Sequence, residues 1–340
     1  MAKILNQVQS LIHRLKQAPV TQETRRVYTQ LVKEENEKFI PPIRPRFQSQ
    51  FGGLWTDLTT AKDIVKGKLS LNLLTSEEAT LLDHWIDWGY VIIPNAVPEV
   101  EIDALTKQID LTLSGETPKK ASYWDNGVKC VGDANFEIMQ KPEAKLLDLH
   151  STSDAAAKVI FSSKIQRFLH LIFERPALAF QSLTFLYGSQ QPVHQDTAFV
   201  LVDSPLEFAA AWVALEDIEE GSGELMYYPG SHHLEETLFE GKYKWAPPQT
   251  PELKNYSESL HEKARDANLT LQYFRPKKGD VLLWSSDLIH GGSQTKNPTL
   301  TRKSIVTHYC PFDRHPMYFY GNGRFEKIPV SEGDFISGQH

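Results

Sequence analysis

Cysteine is almost missing from this chain. Cys130 and Cys310 are the two among 340 residues, too few for a disulfide framework or a thiolate zinc site. Both read as buried thiols. Long apolar runs are missing as well. The longest, Phe208–Leu215, falls far short of the roughly 20 residues of a membrane-spanning helix. There is no excess of basic charge: 36 Lys+Arg face 43 Asp+Glu, a net −7, which argues against a nucleic-acid partner. The N-terminal Met1-Ala2-Lys3-Ile4-Leu5-Asn6-Gln7 has no apolar signal core, so a cytoplasmic location is expected. What is present is ordinary globular composition, 41% hydrophobic, with 12 histidines that composition alone leaves without a role.

Two textures divide the chain. Residues 1–70 read as a helical N-terminal extension, with Ile4, Val8, Leu11, Ile12 and Leu15 at helical spacing and a second helix over Glu23–Lys38. Residues 71–340 read as one domain. It opens with a capping box, Thr75-Ser76-Glu77-Glu78, and a helix ending near Gly89. A strand follows at Tyr90–Ile93, then a helix over Pro98–Leu113 and helical pieces over Ser153–Phe173. After Pro176 short β-branched and aromatic runs take over: Phe180–Tyr187, Ala198–Val202, Phe208–Leu215, Glu224–Tyr228, Leu269–Phe274, Asp280–Trp284 and Ser304–Tyr309. Glycine and proline turns punctuate them, the pattern of a sandwich or jelly roll. The fold class expected is α+β, mainly β, with flanking helices. Residues 115–140 and 234–266 read as substrate loops.

The informative tripeptide is His194-Gln195-Asp196. On a strand, residues i and i+2 face the same way, so an imidazole and a carboxylate converge. Two histidines and a carboxylate form the facial triad of non-haem Fe(II) oxygenases. His290, followed by Gly291-Gly292 where backbones can approach closely, is the leading second histidine. Arg302 opens a later strand and can grip a carboxylate through two parallel hydrogen bonds; Ser304, two residues on, can add a hydroxyl. An iron with open positions and a carboxylate clamp suit a small dicarboxylate. His232 and His233 follow a Pro229-Gly230-Ser231 turn and are not expected to be metal ligands; His232 is expected to bond locally. His308, at an even offset from Arg302, is expected to be a satisfied interior residue. Tyr123, Trp124 and Tyr187 serve a pocket or the core equally well.

Together these pieces resemble the phytanoyl-CoA dioxygenase family of Fe(II)/2-oxoglutarate oxygenases. The matching segments are Gly89-Tyr90-Val91-Ile92-Ile93-Pro94, His194-Gln195-Asp196, Ala211-Trp212-Val213-Ala214-Leu215, Gly223-Glu224-Leu225, Pro229-Gly230-Ser231-His232, Gly279-Asp280-Val281, and His290 with Arg302. They span roughly Leu74 to Pro311. The resemblance implies a double-stranded β-helix (jelly roll, cupin-like) core. It implies His194, Asp196 and His290 as iron ligands and Arg302 as partner of the distal 2-oxoglutarate carboxylate. It adds Gln181, Thr184 and Trp212 as further contacts of that cosubstrate. The last residues, Gly338-Gln339-His340, do not match the peroxisomal address of some members.

The expected activity is hydroxylation of an unactivated C–H bond of a small-molecule substrate, with Fe(II), 2-oxoglutarate and O2 consumed or used and succinate and CO2 released. Desaturation, epimerisation or cyclisation is the alternative outcome, and a non-catalytic metal- or small-molecule-binding protein the alternative class. Asp196 argues against halogenation, which needs its coordination position vacated. The expected partners are a small-molecule substrate, no nucleic acid and no membrane, in a monomer or homodimer.

Overall fold

A computed structural model describes residues 46–116, 121–141, 143–247, 250–317, 326–330 and 333–338. The two helices expected before residue 40 lie outside the described residues. Residues 46–70, expected as part of the extension, join the main body: Leu54, Ala61 and Val65 are buried in the same core as the sheet.

Helices come first because the sequence starts and stops them. Helix α1 spans Ala61–Ser70 and α2 spans Ser76–Trp88. At the start of α2 the Thr75 hydroxyl accepts from Glu78 N at 3.1 Å, and the Glu78 carboxylate accepts from Thr75 N at 2.8 Å. Gly89 ends it at φ 74°. A Cβ there would stand 2.5 Å from His232 Nδ1, so both the backbone and the packing call for glycine. Helix α3 (Glu99–Leu113) buries Ile102, Leu105, Ile109 and Leu113. After the short α4 (Phe136–Met139), α5 (Asp154–Ile160) and α6 (Ser163–Phe173) are the two expected pieces.

The strands are β1 (Tyr90–Ile93), β2 (Ala121–Asp125), β3 (Val128–Gly132), β4 (Lys145–Leu147), β5 (Ala177–Phe185), β6 (Ala209–Ala214), β7 (Leu225–Tyr227), β8 (Gln272–Phe274), β9 (Val281–Ser285), β10 (His290–Gly292), β11 (Ser304–Pro311), β12 (Glu326–Pro329) and β13 (Phe335–Gly338). The larger sheet runs β1-β9-β6-β11-β5-β4-β2-β3, with β13 added to β5 and β12 beyond it. The smaller sheet runs β10-β7-β8. Pairing is antiparallel except between β13 and β5. One face of the larger sheet, through Ala209, Ala211, Val213, Val281, Leu283 and Ile305, packs under the helices. The other, through Ala210, Trp212, Leu282, Trp284 and Val306, meets Leu225, Tyr227 and Phe274 of the smaller sheet. Two sheets face to face with helices on one outer side form the expected jelly roll.

Three expectations are corrected. Residues 198–202 are not a strand: Asp196–Ala198 form a 3-10 turn, and only Val202 bridges, to Pro316. Residues 115–140 are not a simple loop, because Asn126 and Gly127, with φ 48° and 79°, turn β2 into β3, as Asn-Gly pairs do. Residues 234–266 contain a helix, α7 (Tyr256–Asp266). Of the thiols, Cys310 is buried and Cys130, on β3, is only partly so.

Candidate metal centre

Backbone pairing brings the two histidines together. His194 N donates to His290 O at 2.8 Å, and His290 N to His194 O at 3.0 Å, an antiparallel bridge that extends the smaller sheet. The ring centroids lie 4.4 Å apart. The glycines after His290 make this approach feasible: a Cβ on Gly291 would stand 2.8 Å from Gln191 O, and one on Gly292 2.5 Å from Ser189 Oγ. His194 is followed by a turn rather than a continuing strand, yet Asp196 still converges on it. Asp196 Oδ1 is 3.7 Å from His194 Nε2 and 3.6 Å from His290 Nε2. All three are buried, and one ligand atom from each lies within 4.8 Å of the others.

Hydrogen bonds prepare each group for a cation. His194 Nδ1 bonds to Pro192 O and His290 Nδ1 to Leu288 O, both at 2.9 Å. A carbonyl only accepts, so each Nδ1 carries the proton and each Nε2 offers a lone pair. The second oxygen of Asp196 accepts from Trp284 Nε1 at 2.8 Å. Burial works against ionisation of Asp196, but the neighbouring His290, His308 and His194 side chains outweigh it and hold the carboxyl well below its ordinary value. Burial pushes His290 down to about 4, against the pull of Asp196, so its ring is neutral at physiological pH. Two imidazoles and one carboxylate converging on one point suit a divalent iron.

The three groups face a cavity of about 280 Å³. Arg302 lines it and is 2% exposed. Its guanidinium centre lies 5.4 Å from the Phe185 ring and 5.6 Å from Trp212. Burial lowers it to about 10, partly offset by Glu224, so it stays charged. Arg302 Nε, Trp212 Nε1 and Ser304 Oγ are all buried without a hydrogen-bond partner among the described residues. Buried polar groups are rarely left so, and Arg302 with Trp212, which both line the cavity, mark where a polar ligand belongs; Ser304 is not among the lining residues. Ser304 shares the inner face with Arg302 by the period of two.

The structure separates the remaining expected residues. Thr184 does not line the cavity. It sits opposite Leu146 and Ile305, both part of the core under the helices, whereas Leu183 and Phe185 face inward. Gln181 lines the cavity but sits opposite His308, further along β11 than Arg302. His232 and His233 do not bond locally; both reach Ile86 O, at 3.3 and 2.8 Å. His308 is interior as expected, yet its Nδ1 has no hydrogen-bond partner among the described residues. Trp124 lines the cavity, while Tyr123 and Tyr187 pack on the helix side. Sequence reasoning missed Lys145, which also lines the cavity with its Nζ 5.5 Å from the Phe185 ring. It lies on β4, a three-residue strand with no legible alternation. It missed Trp284 as well, whose role depends on a neighbour 88 positions away in sequence.

A jelly roll holding a buried His-Asp-His group beside a cavity with a buried arginine defines the class of facial-triad oxygenases. The sequence profile of that class described as phytanoyl-CoA dioxygenase matches residues 86–304, and the chain belongs to this family of iron- and 2-oxoglutarate-dependent enzymes. The peroxisomal phytanoyl-CoA dioxygenase of Bos taurus is 26% identical over 129 residues, 37% of this chain and 35% of that protein; the match thus spans about a third of the curated relative. Among solved structures, the epimerase SnoN in complex with Fe3+, alpha ketoglutarate and nogalamycin RO has a TM-score of 0.54 at 17% identity, covering 77% of this chain and 98% of that one. EctD from S. alaskensis with 2-oxoglutarate and 5-hydroxyectoine has a TM-score of 0.51 at 18% identity, covering 77% and 85%. These likenesses establish the fold.

Proposed function

We propose that this protein is an Fe(II)- and 2-oxoglutarate-dependent dioxygenase that hydroxylates an unactivated C–H bond of a small molecule. The observation that carries the reading is one cavity with two imidazoles and a carboxylate at one place and, at another, a buried guanidinium whose Nε has no hydrogen-bond partner among the described residues. His194 Nε2, His290 Nε2 and Asp196 Oδ1 hold the metal. When bound, iron and 2-oxoglutarate supply the oxidising chemistry, in which O2 is reduced, the cosubstrate becomes succinate and CO2, and one oxygen atom enters the substrate.

The chain's own residues bind, orient and shield. Arg302 receives the far carboxylate of the cosubstrate, with Ser304 and Trp212 Nε1 as additional donors. Lys145 adds a second cation against the same Phe185 ring. Trp284 keeps one oxygen of Asp196 occupied, so the other is presented to the metal. Phe185, Leu183, Trp124 and Val306 keep that end of the cavity apolar, which excludes water from the reacting centre.

The test is purified protein incubated with Fe(II), ascorbate, 2-oxoglutarate and O2, with succinate measured. The wild type forms succinate. His194→Ala and Asp196→Ala form none and bind no iron, and retained turnover in either would refute the ligand assignment. Product analysis with an accepted substrate then separates hydroxylation from epimerisation, desaturation or cyclisation.

A further inference from the structure

The part of the cavity away from Arg302 has its own chemistry. Its lining there includes Phe199, Val200, Leu201 and Met317. Phe199 is 48% exposed and Met317 54%. Backbone holds Met317 beside Leu201, since Met317 N donates to Leu201 O at 2.7 Å and Asp203 N to His315 O at 3.1 Å, while the Phe199 ring lies 5.7 Å from that of His194. Single exposed apolar side chains are ordinary. Large ones at the mouth of a catalytic cavity form a surface that gains by being covered.

Deeper in, two polar groups interrupt this apolar wall. Gln181 and His308 stand opposite each other on β5 and β11 and both line the cavity. His308 is 3% exposed and lies between Phe180 and Phe208; its Nε2 stands 3.4 Å from Asp196 Oδ2, and its Nδ1 has no hydrogen-bond partner among the described residues. A buried donor or acceptor left unpaired is costly, and a ligand that bonds to it relieves that cost. Charge completes the picture. Among the described lining residues the cations are Arg302 and Lys145, and both lie against Phe185, the end taken by the cosubstrate dianion. The rim has none.

We propose that the substrate is an uncharged, largely apolar small molecule bearing a hydroxyl or carbonyl group. Its apolar body covers Phe199 and Met317, and its polar group bonds to His308 and Gln181, beside the metal. A CoA ester, with its phosphates, would meet no cation among the described residues of this rim. The assignment rests on the oxygenase reading above.

The experiment loads the protein anaerobically with Fe(II) and 2-oxoglutarate and follows the visible charge-transfer band of that complex. Geraniol, farnesol and β-ionol serve as neutral probes, hexadecanoyl-CoA and glycine betaine as charged ones. The neutral alcohols are expected to perturb the band saturably and, on admitting O2, to raise succinate formation. The charged probes are expected to do neither. His308→Leu and Gln181→Leu are each expected to weaken farnesol binding about fivefold relative to farnesene, the loss of one hydrogen bond. A response confined to hexadecanoyl-CoA or betaine, or silence of all three alcohols with the band intact, overturns the substrate class. Failure of the band to form overturns the underlying oxygenase reading instead.

Discussion

Arg302 shows how much one buried side chain can say. A guanidinium 2% exposed with its Nε unpartnered among the described residues is costly unless something anionic meets it. Arg302→Ala is therefore expected to raise the Kd for 2-oxoglutarate about 10- to 100-fold, the loss of charge-assisted hydrogen bonds. Iron binding should persist, and anaerobic titration of the charge-transfer band checks both. Trp284 acts at one remove, since its Nε1 reaches Asp196 rather than the cavity ligand. Trp284→Phe keeps the ring and deletes the donor. Fe(II) affinity is expected to fall about 10- to 100-fold, as measured by competition with a chelator, while the far-UV spectrum stays unchanged. Legibility at this scale was uneven. His194, Asp196, His290 and Arg302 could be read because their residue types and order carry the chemistry. Lys145 and Trp284 could not, because their meaning is a distance to residues far off in sequence.

At the scale of elements, caps and turns were the most legible signals. Thr75, Glu78 and Gly89 bound α2 where local chemistry places them. The short strands were harder. β2 is half-buried throughout, and β3 and β4 show no alternation of burial, so no period of two marks them. The face of β5 was also ambiguous: Thr184 and Phe185 are adjacent, and a one-residue choice sends one to the helices and the other to the cavity. His150 ties elements together. Its Nδ1 bonds to Ser182 Oγ on β5 at 2.7 Å and its Nε2 to Ser337 Oγ on β13 at 3.1 Å. Burial lowers it to about 3 from an ordinary 6.5. The unfolded chain thus takes up a proton below pH 6.5 that the folded chain refuses, and stability falls as the pH drops from 6.5 toward 3. The expected slope is about 1.4 kcal/mol per pH unit for this one group, and zero above 6.5. Asp57, pushed up to about 7 by burial, works the other way: it favours the folded state increasingly as pH falls from about 7 toward 3.8. The discriminating comparison is therefore between proteins. Urea unfolding of His150→Gln at pH 6.5 and 5 should show a smaller stability loss than wild type; equal losses would remove His150 as a proton-linked site.

For the whole molecule, the metal centre is assembled from segments that have no reason to meet except the fold. Asp196 lies in a turn, His290 begins a strand of the smaller sheet, and Trp284 belongs to the larger one. A ligand that joins them favours the folded state by mass action. At a free concentration about 100 times its Kd, Fe(II) should add about 2.7 kcal/mol, seen as a rise in anaerobic Tm that EDTA reverses and that Asp196→Ala lacks. Absence of the rise in wild type would mean that the His-Asp-His group does not hold the metal.

Residue types and local spacing were enough for the class of chemistry, the helix caps, the jelly roll and the His-Asp-His group that the fold brings together, because each depends on neighbours within a few positions or on a characteristic order of motifs. Which face each strand shows, which carboxylate oxygen is free, and where Lys145, Trp284 and His308 stand around the cavity were settled only by tertiary packing. Those properties are separations between side chains on different strands, and sheet register and the pairing of the two sheets, which no single segment encodes, set them.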